Sequence, residues 1–200
     1  MPDPGEKVLT AGFYARDTSE VARALLGKVL ETSVDGESTG GLITEVEAYV
    51  GPHDPAAHGY GGRRSKRNEA MFGPAGTAYV YFIYGMHWCF NAVTGRRGYP
   101  SAVLVRSLEP MAGLEVMKKR RGTENERLLC AGPARLCEAL GIDGTLNGCS
   151  LTDGPVKILK GPGQQVTDIA AGPRIGISRA ADWPLRFCDR GSDWLSKPAP

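Results

Sequence analysis

Two glutamates, Glu45 and Glu47, are the residues in this sequence whose type and spacing most directly suggest chemistry. An ionised carboxylate can act as a general base toward water. Both lie in a strand-like run, ITEVEAY at 43–49, in which successive side chains point to opposite faces. Alternation therefore predicts one face formed by Ile43, Glu45, Glu47 and Tyr49. Either glutamate is a candidate base, and a solvent-exposed acidic strand is the simpler interpretation of the spacing alone.

A second group of candidates is the aromatic run AYVYFIYGM at 78–86. Alternation places Tyr81 on a face that can line a pocket, and Gly85 predicts a turn directly after Tyr84. Tyr84 and Met86 would then lie at a hairpin tip, from which an exposed side chain can enter the base stack of DNA. A tyrosine in a strand more commonly packs in the core, and that interpretation fits Tyr79 best.

Basic residues are clustered although the net charge is only +2. One cluster, RRSKR at 63–67, falls in a long irregular stretch at 51–76, and others lie at 96–97 and 118–121. Such clusters can neutralise phosphates even on a nearly neutral protein, although 118–121 alone reads equally well as a solvated face. A carboxylate, an aromatic pocket, an exposed hairpin tip and a basic loop together indicate an enzyme that acts on a base extruded from DNA.

The elements that must position these residues indicate an α+β fold in one domain spanning 1–200. Strands are predicted at 28–33, 41–49, 77–84, 89–94 and 101–108, with shorter ones at 156–159, 174–178 and 185–187. A helix is predicted after Asp17, which can cap it, and two more at 114–121 and 133–140. Strands that do not alternate regularly with helices argue against a doubly wound parallel sheet.

Composition excludes several classes of protein. No apolar stretch approaches the length of a membrane-spanning helix, and the first seven residues lack the apolar core of a signal peptide, so we expect a soluble, intracellular protein. The five cysteines contain no Cys-x-x-Cys pair, which predicts reduced thiols packed mainly in the core and no metal site.

Longer motifs closely resemble the alkyladenine DNA glycosylases, also called 3-methyladenine DNA glycosylases. They are EVEAYVGPHDPAAH at 45–58, RNEAMF at 67–72, AYVYFIYGM at 78–86, CFN at 89–91, VLVRSLEP at 103–110, GPARLC at 132–137 and PLRF at 184–187. The resemblance extends from about residue 9 to residue 195. It implies a single compact domain with a curved antiparallel sheet, surrounding short helices, a protruding β-hairpin, and neither metal nor cofactor.

The resemblance also implies roles for particular residues. It selects Glu47 over Glu45 as the general base. It implies a pocket for the flipped base lined by Tyr49, His58, Met71, Tyr81, Asn91 and Arg106. It further implies that DNA is contacted by Tyr84, Met86, Arg63 and Ser65. The amide of Asn91 would clash with the exocyclic amino group of normal guanine, and Arg106 would lie near the sugar–phosphate of the lesion.

The implied activity is monofunctional hydrolysis of the N-glycosidic bond of 3-methyladenine and 7-methylguanine, with hypoxanthine and ethenoadenine as further candidate substrates. The expected partner is double-stranded DNA that contains damaged purines, with no membrane partner, and we expect a monomer. Two alternatives stay open at this point: a non-catalytic module that recognises lesions, and a bifunctional enzyme that uses Lys66 to form a Schiff base. The chain departs from some members of the family at His87-Trp88, where they have an aromatic residue after Tyr-Gly-Met.

Overall fold

The computed structural model describes residues 7–163 and 165–200, and within them an eight-stranded sheet forms the centre of the fold. The strands are β1 (Val29–Val34), β2 (Glu37–Tyr49), β3 (Ala78–Ile83), β4 (His87–Val93), β5 (Ala102–Ala112), β6 (Val156–Leu159), β7 (Ile169–Gly172) and β8 (Arg186–Asp189). The α-helices are α1 (Ala11–Tyr14), α2 (Thr18–Leu25), α3 (Leu114–Arg121) and α4 (Pro133–Leu140). Short 3₁₀ turns lie at Tyr60–Gly62, Glu69–Phe72, Glu126–Leu128 and Gly144–Leu146.

The sheet is antiparallel at every pairing, with the main strand order β3-β4-β5-β2-β1-β6. The long strand β2 also pairs with β8 near its C-terminal end, and β8 pairs with β7. The sheet therefore curls into a half-barrel with short helices around it. This arrangement confirms the predicted α+β class and the single compact domain with a curved antiparallel sheet.

Two irregularities in the β2–β5 pairing decide where the site-facing side chains point. Ile43 pairs with Leu108 and Glu45 with Ser107, so Thr44 has no partner, and the next shift leaves Arg106 of β5 without one. An extra residue in one strand bends it and re-aims the neighbouring side chains. The predicted grouping of Ile43 with the glutamates is therefore wrong, because the shift at Thr44 puts Ile43 out of phase and into the hydrophobic core.

The helices follow their sequence signals closely. The Asp17 side chain accepts hydrogen bonds from the backbone of Ser19 and Glu20 at the start of α2, and α3 and α4 have the predicted bounds. The segment predicted as a strand at 174–178 is instead irregular, since Pro173 lacks an N–H group and Gly176 has a φ of 76°. The strand of that region is β7, which lies earlier, at Ile169–Gly172.

The predicted hairpin is formed by β3 and β4 and protrudes into solvent. Tyr84 and Gly85 have φ values of 54° and 70°, as the mirror-image turns of tight hairpins require, and Met86 N donates to Ile83 O at 3.3 Å. Tyr84 is 78% exposed and Met86 69% exposed. A positive φ is unusual for tyrosine, and such strained residues are often found at functional sites.

The core lies between one face of the sheet and the helices α2 and α4. Its members include Val46, Ala48, Phe90, Val103 and Val105 from the strands and Leu25, Leu26, Leu136 and Leu140 in or directly after the helices. The cysteines are unpaired, and all but Cys149 are buried, as predicted. In the residues that the structure describes, no helix is long and apolar enough to cross a membrane.

Candidate active site

A cavity of about 430 Å³ opens on the sheet face that is turned away from the core. Its lining includes all six residues expected to hold a base: Tyr49, His58, Met71, Tyr81, Asn91 and Arg106. Tyr84 of the hairpin tip lines the same cavity. The other three residues expected to contact DNA, Met86, Arg63 and Ser65, lie outside the lining. Side chains that are far apart in the sequence are thus brought to one concave surface.

Glu47 lies directly behind this lining and is completely buried. Its Oε1 accepts a hydrogen bond from Ile175 N at 2.7 Å and lies 3.2 Å from Arg106 Nη1, while Tyr49 donates its hydroxyl to Oε2 at 2.9 Å. All three partners line the cavity. The interpretation of a solvent-exposed acidic strand is therefore wrong.

Glu45 is equally buried but has a different environment. Its Oε1 accepts from Arg106 Nε at 2.9 Å, Arg186 Nε at 2.8 Å and Ser196 Oγ at 2.9 Å, and its Oε2 accepts from Ser196 N at 2.6 Å. Of these partners only Arg106 lines the cavity. Glu45 is thus saturated with donors on the side away from the cavity, whereas Glu47 is surrounded by cavity-lining groups.

The electrostatics of Glu47 reflect a balance between burial and its donors. Burial raises the pKa of Glu47 above the usual value, and the Arg106 charge, the Ile175 N–H and the Tyr49 hydroxyl offset part of the increase. Burial alone would lower the pKa of Arg106, but the charges of Glu47 and Glu45 outweigh it and the pKa is raised. Burial also raises the pKa of Tyr49, so its hydroxyl remains a donor.

Aromatic rings form one wall of the cavity. His58 Nδ1 lies 2.7 Å from the Tyr79 hydroxyl, and the His58 ring meets Tyr81 edge-on with centroids 4.6 Å apart. Partial burial, together with the nearby Arg67 charge, lowers the pKa of His58, which leaves the imidazole neutral near pH 7. Tyr79 is buried as its core interpretation predicts, yet it also lines the cavity and contacts His58.

Tyr49 is held in place by a buried ion pair that sequence reasoning missed. The guanidinium carbon of Arg174 lies 4.7 Å from the centre of the Tyr49 ring. Arg174 donates to both oxygens of Asp54, at 2.5 and 2.8 Å, and to Ala48 O at 3.0 Å. Asp54 and Arg174 are 120 residues apart, so no local pattern in the sequence could have paired them.

The segment at 175–179 is a further part of the lining that the sequence did not indicate. It contributes Ile175, whose backbone N–H rather than side chain contacts Glu47. A backbone donor has no sequence signature, and the sequence predicts a strand at 174–178, which covers most of this segment. Leu104, in contrast, could have been found, since it alternates with Arg106 on β5 and lines the same cavity.

The basic loop is ordered by Asn68 and lies against the hairpin. Asn68 Oδ1 accepts from Ser65 N and Oγ at 2.7 and 3.0 Å, and Asn68 Nδ2 donates to His58 O and Arg63 O. Arg67 Nη2 donates to Phe82 O in β3 at 3.0 Å. The loop is therefore connected both to the aromatic wall and to the hairpin whose tip carries Tyr84.

Comparison with known proteins identifies the family of this chain. The family model described as methylpurine-DNA glycosylase matches residues 12–193. A protein of Methanoculleus marisnigri, provisionally named 3-methyladenine DNA glycosylase, is 51% identical over 94% of this chain and 98% of its own length. Two further proteins have the same provisional name. The protein of Rhodopseudomonas palustris (strain BisB18) is 50% identical over 95% of this chain and 91% of its own length. The protein of Carboxydothermus hydrogenoformans is 48% identical over 95% of this chain and 99% of its own length. The predicted resemblance is confirmed: the chain belongs to the methylpurine-DNA glycosylase family and is a DNA glycosylase, a hydrolase of N-glycosyl bonds.

Proposed function

We propose that the protein excises alkylated and deaminated purines from double-stranded DNA by hydrolysing the base–sugar bond with a water molecule that Glu47 activates. The observation that carries this proposal is the placement of Glu47. It is a buried carboxylate with a raised pKa, and among residues 7–163 and 165–200 every group that contacts it through a hydrogen bond or ion pair lines the aromatic cavity. A base with a pKa raised toward the working pH is suited to accept a proton.

The aromatic wall suits a flipped purine, above all a cationic one. Alkylation at N3 or N7 makes the purine positively charged and therefore a good leaving group. The rings of Tyr49 and Tyr81 would attract such a cation, each by about 0.5–2 kcal/mol. Asn91 Nδ2 donates a hydrogen bond to Tyr79 O at 3.0 Å, so the amide has a fixed orientation in the cavity. A fixed amide fits the expected role of Asn91 in rejecting guanine.

In the proposed reaction the water occupies the junction of Tyr49, Arg106 and Ile175, in front of Glu47. Its oxygen attacks C1′ of the sugar while Glu47 takes its proton, and the electron pair of the N-glycosidic bond passes to the base. A cationic base leaves as a neutral molecule and needs no acid. The negative charge of Glu47 also stabilises the positive charge that develops on the sugar.

Neutral lesions such as hypoxanthine and ethenoadenine would need a proton donor for the leaving base. His58 is the candidate, because it is neutral and lines the cavity. If Tyr79 donates its hydroxyl to Nδ1, the proton of His58 is on Nε2, where it can be offered to the base.

Recognition of duplex DNA would rest on the hairpin and the basic loop. Tyr84, exposed at the tip beside the cavity, would fill the gap left by the flipped nucleotide. Met86 would contact the neighbouring bases, and Arg63 and Ser65 the backbone. The bond from Arg67 to Phe82 O supports the joint action of loop and hairpin on one stretch of DNA.

The two alternatives are less consistent with the geometry. A module that only recognised lesions would not need a buried carboxylate such as Glu47 at the cavity wall. A Schiff-base mechanism needs an amine in the cavity, and among the described residues no lysine lines it.

The test is to incubate the protein with duplexes that each carry one lesion, 3-methyladenine, 7-methylguanine, hypoxanthine or ethenoadenine, and to quantify the released base. We expect free base and an abasic site, and no adduct after borohydride treatment. Binding to lesion DNA without base release would instead support the recognition module, and borohydride trapping would support the bifunctional enzyme.

A further inference from the structure

Each of the three nitrogens of the Arg106 guanidinium has a partner. Nε donates to Glu45 at 2.9 Å, Nη2 donates to Ser196 Oγ at 3.3 Å, and Nη1 lies 3.2 Å from Glu47 Oε1. A guanidinium is rigid and planar, so two fixed nitrogens determine the direction of the third. Glu45 and Ser196 together therefore aim Nη1 at Glu47.

Glu45 joins this arrangement to two distant parts of the chain. It binds Arg186 of β8, which pairs with β2 at Glu47, and both the N–H and the hydroxyl of Ser196. Arg186 in turn donates to Lys197 O and Pro198 O at 2.8 and 3.0 Å. The segment 196–198 thus covers the buried charges on the side away from the cavity.

The charges of this cluster balance. Glu45 and Glu47 contribute two negative charges and Arg106 and Arg186 two positive ones, all on residues that are at most 6% exposed. Because Arg186 contacts Glu45 but not Glu47, Arg106 is the cation that the two carboxylates share. Removing the charge of Glu45 would leave the Arg106 charge to Glu47 alone.

We propose that Glu45 is a positioning residue for base excision, which holds Arg106 in the plane that meets Glu47 and shares its positive charge. The inference rests on the proposed role of Glu47 as the general base. Glu45 itself touches neither substrate nor water in this scheme. It acts through Arg106, and segment 196–198 is part of the support.

The charged and titratable groups around Glu47 give the expected sign of a pH effect. They are Glu45 and Tyr49 on β2, Cys89 on β4, Arg106 on β5, Cys188 and the Glu45-bound Arg186 on β8 and, across the Tyr49 ring, Arg174. Glu45 is the member whose charge raises the pKa of Glu47, whereas Arg106 lowers it. Loss of the Glu45 charge should therefore lower the pKa of Glu47 and make it a weaker base.

Two variants separate charge from orientation in single-turnover excision of a cationic lesion. Glu45→Gln should bind lesion DNA almost as well as the unmodified protein, but excise on the order of 10²-fold more slowly, because Arg106 stays paired with Glu47 but loses the carboxylate that fixes its plane. The acid limb of its pH–rate profile should move to lower pH. Ser196→Ala removes one of the two contacts that orient Arg106 but no charge, so its rate should fall about tenfold with the acid limb unmoved.

Thr32→Val is the matched control for lost buried polar contacts. Thr32 is buried, donates to Leu140 O at 2.7 Å and lies outside the cavity lining. The control should lose thermal stability and keep the full excision rate of its folded fraction.

The outcomes are distinguishable. Unchanged excision by Glu45→Gln, or a loss that only follows its folded fraction with an unmoved acid limb, would overturn the proposal. If Glu45→Gln does not fold, Ser196→Ala decides: a slower rate at unchanged DNA binding and melting temperature supports the proposal, and an unchanged rate overturns it. Retained excision by Glu47→Gln would instead refute the proposed function itself.

Discussion

Replacement of Glu47 by glutamine is the most direct perturbation of the proposed chemistry, because it changes a charge with almost no change in shape. The carboxylate accepts from Tyr49 and Ile175 and pairs with Arg106. A glutamine side chain has one oxygen and an NH₂ group in place of two oxygens, so one of these donors would face another donor. The unsatisfied contact should lower the free energy of unfolding by about 1–3 kcal/mol.

The effect on rate should be much larger than the effect on folding. Loss of a general base typically slows a reaction by about 10²–10⁴-fold. That range corresponds to about 2.7–5.4 kcal/mol of activation free energy. Binding of lesion DNA should be retained, because the walls of the cavity and the hairpin are untouched and the cluster gains a net positive charge near the phosphates.

The assay is single-turnover release of 3-methyladenine from duplex DNA, with lesion-DNA affinity and thermal unfolding measured on the same preparations. Glu37→Gln is the matched control, since Glu37 lies on the same strand but is exposed at its other end. It should excise at the unmodified rate. A Glu47→Gln rate within about threefold of the control would refute the role of Glu47 as general base, because a threefold loss is far smaller than the loss expected when a general base is removed.

Three further outcomes are expected. Excision of a cationic lesion should fall as the pH drops through the pKa of Glu47, because only the ionised carboxylate accepts a proton. Burial raises this pKa, so the rate should begin to fall above pH 4.5, the ordinary pKa of a glutamate side chain, and a rate that is constant down to pH 4.5 would contradict this. Tyr84→Ala should remove about 1–3 kcal/mol of stacking from the state in which the base is flipped out. It should not lower the melting temperature, since the Tyr84 side chain is 78% exposed. The fluorescence of a 2-aminopurine placed beside the lesion measures the flipped population. Asp54→Asn should lower the free energy of unfolding in urea by about 3–5 kcal/mol, because it leaves the buried charge of Arg174 unpaired. The exposed ion pair between Asp168 and Arg190 serves as the control, and Asp168→Asn should lower the free energy of unfolding by less than about 1 kcal/mol.

The buried cluster behind the cavity suggests why these strands are irregular. In a regular β2–β5 pairing every residue would have a partner, but Thr44 and Arg106 have none. The extra residue on each strand allows Arg106 to reach Glu45 and Glu47 while Ile43 stays in the core. A bulge of this kind re-aims a side chain at little cost to the rest of the sheet.

Much of the cavity wall could be predicted from local sequence patterns. Strand alternation placed Glu47 and Tyr49 on one face of their strand and predicted that Tyr81 of another strand can line a pocket, because a β-strand repeats every two residues whatever lies around it. Gly85 marked the hairpin tip, since a tight turn requires positive φ values. The bounds of α3 and α4 could also be predicted from local sequence, because the glycine that ends each helix takes up the left-handed conformation there.

The surroundings that distinguish the two glutamates on that face depend on the tertiary structure. The sequence pattern treats Glu45 and Glu47 alike, and the family resemblance was needed to prefer Glu47. In the fold, Ser196, which is 151 residues from Glu45, donates to both oxygens of that carboxylate, while the N–H of Ile175, which lines the cavity and is 128 residues from Glu47, donates to the other. These contacts depend on the order of strands in the sheet and on the path of the chain after β8, and neither leaves a signal in the residues next to the glutamates.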